Sequence, residues 1–239
     1  MAQRGVSGPH AFLTGVYGFP VLFGRGRLAT EQVVGDLGRH WRLMQTMFKK
    51  YPSCGATQGL TELCLQAVQE LAPAPTAIER VSVHLNPYCH RLVGHAFRVG
   101  PNPRVDAQFS ARYCAANALV RRASRLAHFA PDAIEDPSVR ALMQRVEVVS
   151  DPALDARGHT AVDVQIHLRD GRSWSRGLDV APGFPGWPLS AGQQRARFAD
   201  CAAYSPHPWS NERIDHLLDA LHEPDRWGSV GEFLGLLVT

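Results

Sequence analysis

The chain reads as an α+β protein, a sheet-plus-helix module set between two stretches of helical and loop sequence. Three observations lead there. Leu60, Leu63, Ala67, Val68 and Leu71 recur at steps of three and four, one apolar face of a helix. Val81, Val83 and Leu85 then alternate with polar residues as in a half-buried strand. Further on, Val162, Val164, Ile166 and Leu168 alternate up to Asp170-Gly171 and return through Trp174, a hairpin pattern. No internal repeat is visible, and about four strands are expected.

Taken in order, the first 50 residues carry Gly5, Gly8, Pro9, Gly15, Gly18 and Pro20 too densely for a self-contained unit. Thr30 is expected to cap a short helix bearing Val33, Val34 and Leu37, and Trp41 to Phe48 to be extended. A helix follows from about Ser53 to Leu71, stopped by Pro73 and Pro75. After the first strand, a loop rich in Pro, Gly and His runs to about Val105. One helix is expected from about Asp106 to Leu126, with Phe109 and Tyr113 on the same face. Asp136-Pro137 pairs an N-cap with a first-turn proline and opens a helix through Val139, Leu142 and Met143. Val146, Val148 and Val149 suggest the second strand. Asp170-Gly171 favours a two-residue primed turn. Pro182 to Pro188 is a loop. Helices close the chain around 193–203, after Ser210, and after Ser229, where Ser229-x-x-Glu232 has the form of a capping box.

Composition narrows the function. The 239 residues, 45% hydrophobic and 20% charged, are those of a globular protein large enough for a real core. A net charge of +3 with arginines spread along the chain argues against nucleic acid. Five cysteines, an odd number without a CxxC pair, fit reduced thiols better than disulfides or a metal cluster. The run from Ala11 to Phe23 is broken by Gly15, Gly18 and Pro20 and lacks a clean cleavage site, so a signal peptide is rejected. The apolar C-terminal run is too short to span a bilayer. A cytoplasmic location with no membrane association is the expectation. His84, His90 and His95 with Cys89 match no metal-ligand spacing, and no metal is expected. Nucleotide loops, serine-hydrolase elbows and zincin motifs are all missing from the sequence.

Only two of the 25 basic residues are lysines, and they are adjacent: Lys49 and Lys50, in Phe48-Lys49-Lys50-Tyr51-Pro52-Ser53-Cys54. Guanidinium is a planar fork locked in its charged form, whereas ammonium is a compact charge able to give up its proton when desolvated. A lysine kept in so arginine-biased a chain is a candidate for chemistry arginine cannot perform. The plainer reading is a solvated surface pair. Its place before a helix start would put the ammonium where backbone N–H groups also favour a carboxylate. Gln58 could bond a substrate oxygen or be an ordinary exposed helical residue. Tyr113 could donate a proton or be a core aromatic with a satisfied hydroxyl.

These pieces, in this order, resemble the C-terminal half of the MmgE/PrpD family, which includes 2-methylcitrate dehydratase, cis-aconitate decarboxylase and iminodisuccinate epimerase. The match is carried by Gly8-Pro9 with Gly15 and Gly18, by the 48–54 block, and by Ala107-Gln108-Phe109-Ser110-x-x-Tyr113. Asp170-Gly171, Gly183-x-Pro185-x-x-Pro188-Leu189-Ser190 and Arg197-Phe198 complete it, so that it spans essentially the whole chain. The resemblance implies an α+β lid domain over residues 51–185, with segments 1–50 and 186–239 belonging to an incomplete all-helical domain. It implies a small di- or tricarboxylate bound in the cleft between them, without cofactor. Lys49 and Tyr113 take the catalytic positions, and Ser53, Cys54, Gln58 and Ser110 those of substrate contacts. The implied chemistry is proton transfer next to a carboxylate, as elimination, decarboxylation or epimerisation, most nearly like 2-methylcitrate dehydratase in propionate metabolism.

Two departures qualify that expectation. Many members have a histidine where this chain has Gln58, and a glutamine cannot take up a proton. The chain also begins near the family's midpoint. The expectation is therefore a lyase or isomerase portion that needs an N-terminal half from a separate polypeptide, as a homodimer or hetero-oligomer. The alternative is a non-catalytic remnant, or an assembly or carboxylate-binding module that keeps the lid fold.

Overall fold

The computed structural model describes residues 2–238, without the side chains of Ala2, Thr30, Val33, Met44 and Pro224. The chain forms two compact units, 1–45 and 46–239. In the first, α1 (Phe19–Gly24) starts with Pro20 in its first turn, and α2 spans Thr30–Val34. Ala29, rather than Thr30, occupies the cap position of α2. The side-chain cap expected of Thr30, and the side chain of Val33, lie outside the described residues. The extended stretch expected from Trp41 contains a 3₁₀ turn over Arg42–Gln45.

The second unit is built on a four-stranded sheet of β1 (Ile78–Leu85), β2 (Val146–Ser150), β3 (Val162–Leu168) and β4 (Ser173–Leu178), in the order β2-β1-β3-β4. β1 and β2 run parallel, while β3 is antiparallel to both β1 and β4. A parallel pair needs a crossover, and residues 86–145 supply one containing five helices. They are α4 (Pro87–Val93), α5 (Pro103–Gln108), α6 (Ala111–Arg121), α7 (Pro131–Ile134) and α8 (Pro137–Met143). Before the sheet stands α3 (Gln58–Leu71), which follows a 3₁₀ turn over Gly55–Thr57 and ends at Ala72 in the left-handed conformation. The buried faces of α3 and α6 meet each other and the sheet, α3 against β3 and β4, α6 against β2. Leu60, Leu63, Val83, Val164, Ile166 and Leu119 form the centre of this core, each fully buried. Three helices close the unit: α9 (Ala191–Ala203), α10 (Asn211–His222) and α11 (Val230–Gly235).

The α+β class and the four strands therefore hold, and four details of the expected layout change. The loop expected up to Val105 contains α4, capped by Asn86, which accepts from the Cys89 N–H at 2.8 Å. The single helix expected over 106–126 is two, because Ser110 leaves helical geometry and caps α6 by accepting from the Tyr113 N–H. Phe109 and Tyr113 consequently share no helix face. At the hairpin, Leu168 N–H pairs with the Arg172 carbonyl and Gly171 N–H with that of Leu168, and Gly171 alone takes a positive φ, +86°. That is a three-residue loop with glycine at the left-handed position, not a two-residue primed turn. Ser229 caps α11, but Glu232 reaches the Gly228 N–H, one residue before the position a reciprocal capping box requires.

Candidate functional site

The segment leading to Lys49 is pinned by one glycine. Phe48 N–H donates to the Gly183 carbonyl at 2.8 Å, and Gly183 sits at φ +85°. A Cβ there would lie 1.9 Å from the Phe48 carbonyl oxygen, so the two backbones can approach this closely only with glycine. After the lysines the chain turns sharply through Tyr51–Cys54, and two amide side chains hold the turn. Gln58, fully buried in the first turn of α3, accepts from the Tyr51 N–H at 2.9 Å and donates to the Tyr51 carbonyl at 3.0 Å. The Gln108 side chain donates to the Pro52 carbonyl at 2.8 Å, while its main-chain carbonyl accepts from the Cys54 N–H at 3.0 Å. A primary amide presents an acceptor and a donor side by side, and Gln58 uses both on one residue.

The two lysines have different fates. Lys50 pairs with Glu62 on α3 at 2.6 Å, and the same carboxylate oxygen, Oε2, accepts from the Tyr51 hydroxyl at 2.5 Å. Burial first, and then Glu62, push the Tyr51 phenol far above its ordinary value, which keeps it a hydrogen-bond donor. Lys49 is half-buried and forms no ion pair or side-chain hydrogen bond among the described residues.

Both lysines open on a cavity of about 1000 Å³. One wall is the Lys49–Cys54 turn with Glu62, and another is the loop carrying Ser124 and Arg125. The third comes from α9, with Arg197 and Asp200. Arg195 bonds Asp215 through two nitrogens, at 2.5 and 2.9 Å, and so ties α9 to α10. Arg125 and Arg197, like Lys49, form no ion pair among the described residues. The cavity's charged lining is thus four cations and two carboxylates, one of which is already matched to Lys50.

Of the six residues singled out from sequence, Lys49, Ser53 and Cys54 line this cavity. Ser53 Oγ accepts from the Thr57 hydroxyl at 2.8 Å. Gln58, Ser110 and Tyr113 stand behind the wall, all fully buried. Gln58 is spent on the turn and Ser110 on the cap of α6. Tyr113 packs between the rings of Phe97 and Phe129, at centroid separations of 5.9 and 5.5 Å. Its hydroxyl donates to the His128 carbonyl and meets Arg121. Sequence reasoning passed over Glu62, and named Gln108 and Gly183 only as parts of the matching blocks, without a role. The charge at position 62, one turn beyond Gln58 on the same helix, was the available signal for the first.

The 48–54 turn before α3, the Ala-rich helix carrying Tyr113, and an α+β arrangement with a small sheet are what the resemblance implies, and the chain has them. A sequence model of the MmgE/PrpD C-terminal domain matches residues 51–223. The chain belongs to the MmgE/PrpD family. The matched segment contains the sheet, α3 to α10 and every lining residue of the cavity except Lys49 and Lys50, which immediately precede it. No curated protein matches the chain. Among the described residues no helix is long and apolar enough to cross a membrane, and no cluster of three or more His, Cys, Asp or Glu is placed to hold a metal ion.

Proposed function

We propose that the chain contributes the cationic wall of a cofactor-independent lyase or isomerase site for small polycarboxylates, of the 2-methylcitrate dehydratase type. The observation that carries this reading is the unbalanced charge of the cavity: Lys49, Arg125 and Arg197 all face it without a carboxylate partner among the described residues. Two or three ligand carboxylates would satisfy them through charge-assisted hydrogen bonds. Lys49 is the central group. Its ammonium would stabilise the negative charge that develops when a proton is removed next to a carboxylate. Ser53 and Cys54 would border the bound acid, while Gln58, Ser110 and Tyr113 would support the wall from behind.

A second surface is part of the proposal. Small-molecule sites hold about 300–1000 Å³, and this cavity lies at the top of that range, far more room than a small polycarboxylate fills. A further protein surface, from a separate polypeptide carrying the family's helical half or from another copy of the chain, would close it and supply the remaining acid and base groups. The full chain by itself would then bind the acid without net conversion.

Calorimetric titration of the full chain with citrate and tricarballylate tests the reading. Lys49→Ala should weaken binding roughly tenfold to a hundredfold, the loss of one hydrogen bond to a charged group. No binding by the native chain, or equal binding by the variant, would remove the basis for the site. A carboxylate-binding module without turnover is the second reading, favoured by the burial of Tyr113 and Gln58 away from the cavity. Supplying the helical half and assaying for loss of water, carbon dioxide or configuration separates the two.

A further inference from the structure

The proposed reaction needs a group to take the first proton, and the buried amide of Gln58 cannot be that group. We infer that Glu62 is that group. The inference rests on the polycarboxylate reading above and names a catalytic residue for it. Glu62 lies on the cavity wall with its side chain 12% exposed, close enough to solvent to meet a ligand and buried enough to be held still. Its orientation is fixed from two sides. Lys50 Nζ at 2.6 Å and Tyr51 Oη at 2.5 Å both bond Oε2. Oε1 makes no hydrogen bond among the described residues, so one oxygen anchors the carboxylate while the other is left for a ligand.

Asp200, the cavity's other carboxylate, is less suited to the task. It accepts from the Leu126 N–H at 3.1 Å, and no side-chain donor fixes it among the described residues. Glu62 is also tied to Lys50, the neighbour of Lys49, so the base on α3 is linked to the turn that carries the stabilising cation. In the step itself, Glu62 Oε1 takes the proton from the carbon next to a ligand carboxylate. The C–H bond breaks, its electron pair delocalises into that carboxylate, and the Lys49 ammonium faces the charge that forms. Return of a proton from Glu62 restores the acid. In D₂O, exchange of the glutamic acid proton with solvent makes the returned atom a deuteron. No oxidant, metal or leaving group is involved in this half-reaction.

Deuterium uptake into tricarballylate, followed by proton NMR with the full chain in D₂O, measures it directly, while calorimetry on the same samples reports binding. The expected result is uptake above the protein-free rate, reduced at least a hundredfold in Glu62→Gln, the loss of a general base, with binding retained or tightened because Lys50 is freed. Glu62→Asp, which retracts the carboxylate by one methylene, should bind normally and exchange at an intermediate rate. Added formate should restore part of the exchange in Glu62→Ala, a rescue that a purely structural glutamate would not show. Binding without exchange in the native chain, or exchange that survives Glu62→Gln, would overturn the role of Glu62 and leave the polycarboxylate site standing. Absence of binding would instead mark failure of the site itself and take Glu62's role with it.

Discussion

Gln58 shows how one side chain can exchange chemistry for structure. A histidine at this position can gain and lose a proton. The amide instead clamps the Tyr51 main chain through a donor and an acceptor, both within 3.0 Å. The clamp fixes the turn that carries Lys49 and Lys50, so its value is expressed in the stability of the site. Gln58→Ala leaves a buried N–H and a buried carbonyl of Tyr51 without their amide partner. The carbonyl keeps the Ser53 N–H at 2.9 Å, so the orphaned N–H sets the cost, about 1–3 kcal/mol, a melting temperature lower by roughly 2–12 °C for a chain of this length. Differential scanning calorimetry of the two proteins checks it. A shift within experimental error would mean that the turn is held by Gln108 and Gly183 alone.

Among the elements, those with a clean period were legible and those defined by a cap or a turn were not. β3 alternates because one face packs on α3, and α3 repeats its apolar residues because it lies on that same sheet. α4 was hidden inside a stretch rich in Pro, Gly and His, although Asn86-Pro87 carries a cap and a first-turn proline. The break between α5 and α6 escaped notice because Phe109 and Tyr113 stand four apart, a spacing that mimics a continuous face. Lys49 was legible through its rarity. The contacts that fix its turn were not, since Glu62 meets Lys50 and Gly183 meets Phe48 only once the turn and the distant loop are folded. Ser110 marks the real boundary, and Ser110→Ala should remove the side-chain acceptor at the start of α6 for about 1 kcal/mol. Urea denaturation followed by circular dichroism should show an earlier midpoint with an unchanged slope. An unchanged midpoint would show that α6 does not depend on its cap.

For the whole molecule, the sharpest consequence concerns acid. The end of α6 is joined to the 123–136 segment through Arg121, which bonds Asn117 at 2.8 Å, the Ala133 carbonyl at 2.7 Å and Asp136 at 3.1 Å. His128 is held below the ordinary imidazole value, first by burial and then by Arg121 and Arg125. The folded state therefore resists a proton that the unfolded chain accepts near pH 6.5. This contribution to stability is complete above that pH and declines as the pH falls through it toward the folded value. Burial alone would raise the Asp136 carboxyl, but the Ser138 and Val139 N–H groups with Arg121 outweigh it and hold it below the usual carboxylate range. Its contribution is complete above about pH 3.9 and is lost as the pH drops further. Two steps of acid destabilisation are expected, and the upper one belongs to a single side chain. Unfolding free energy measured in urea from pH 8 to 2.5 should fall, between pH 7 and 5, with a slope from His128 of no more than about 1.4 kcal/mol per pH unit. In His128→Gln that part of the slope should disappear while the lower step remains. An identical profile in the variant would assign the upper step to another of the histidines and leave the Arg121 network without a role in acid unfolding above pH 5.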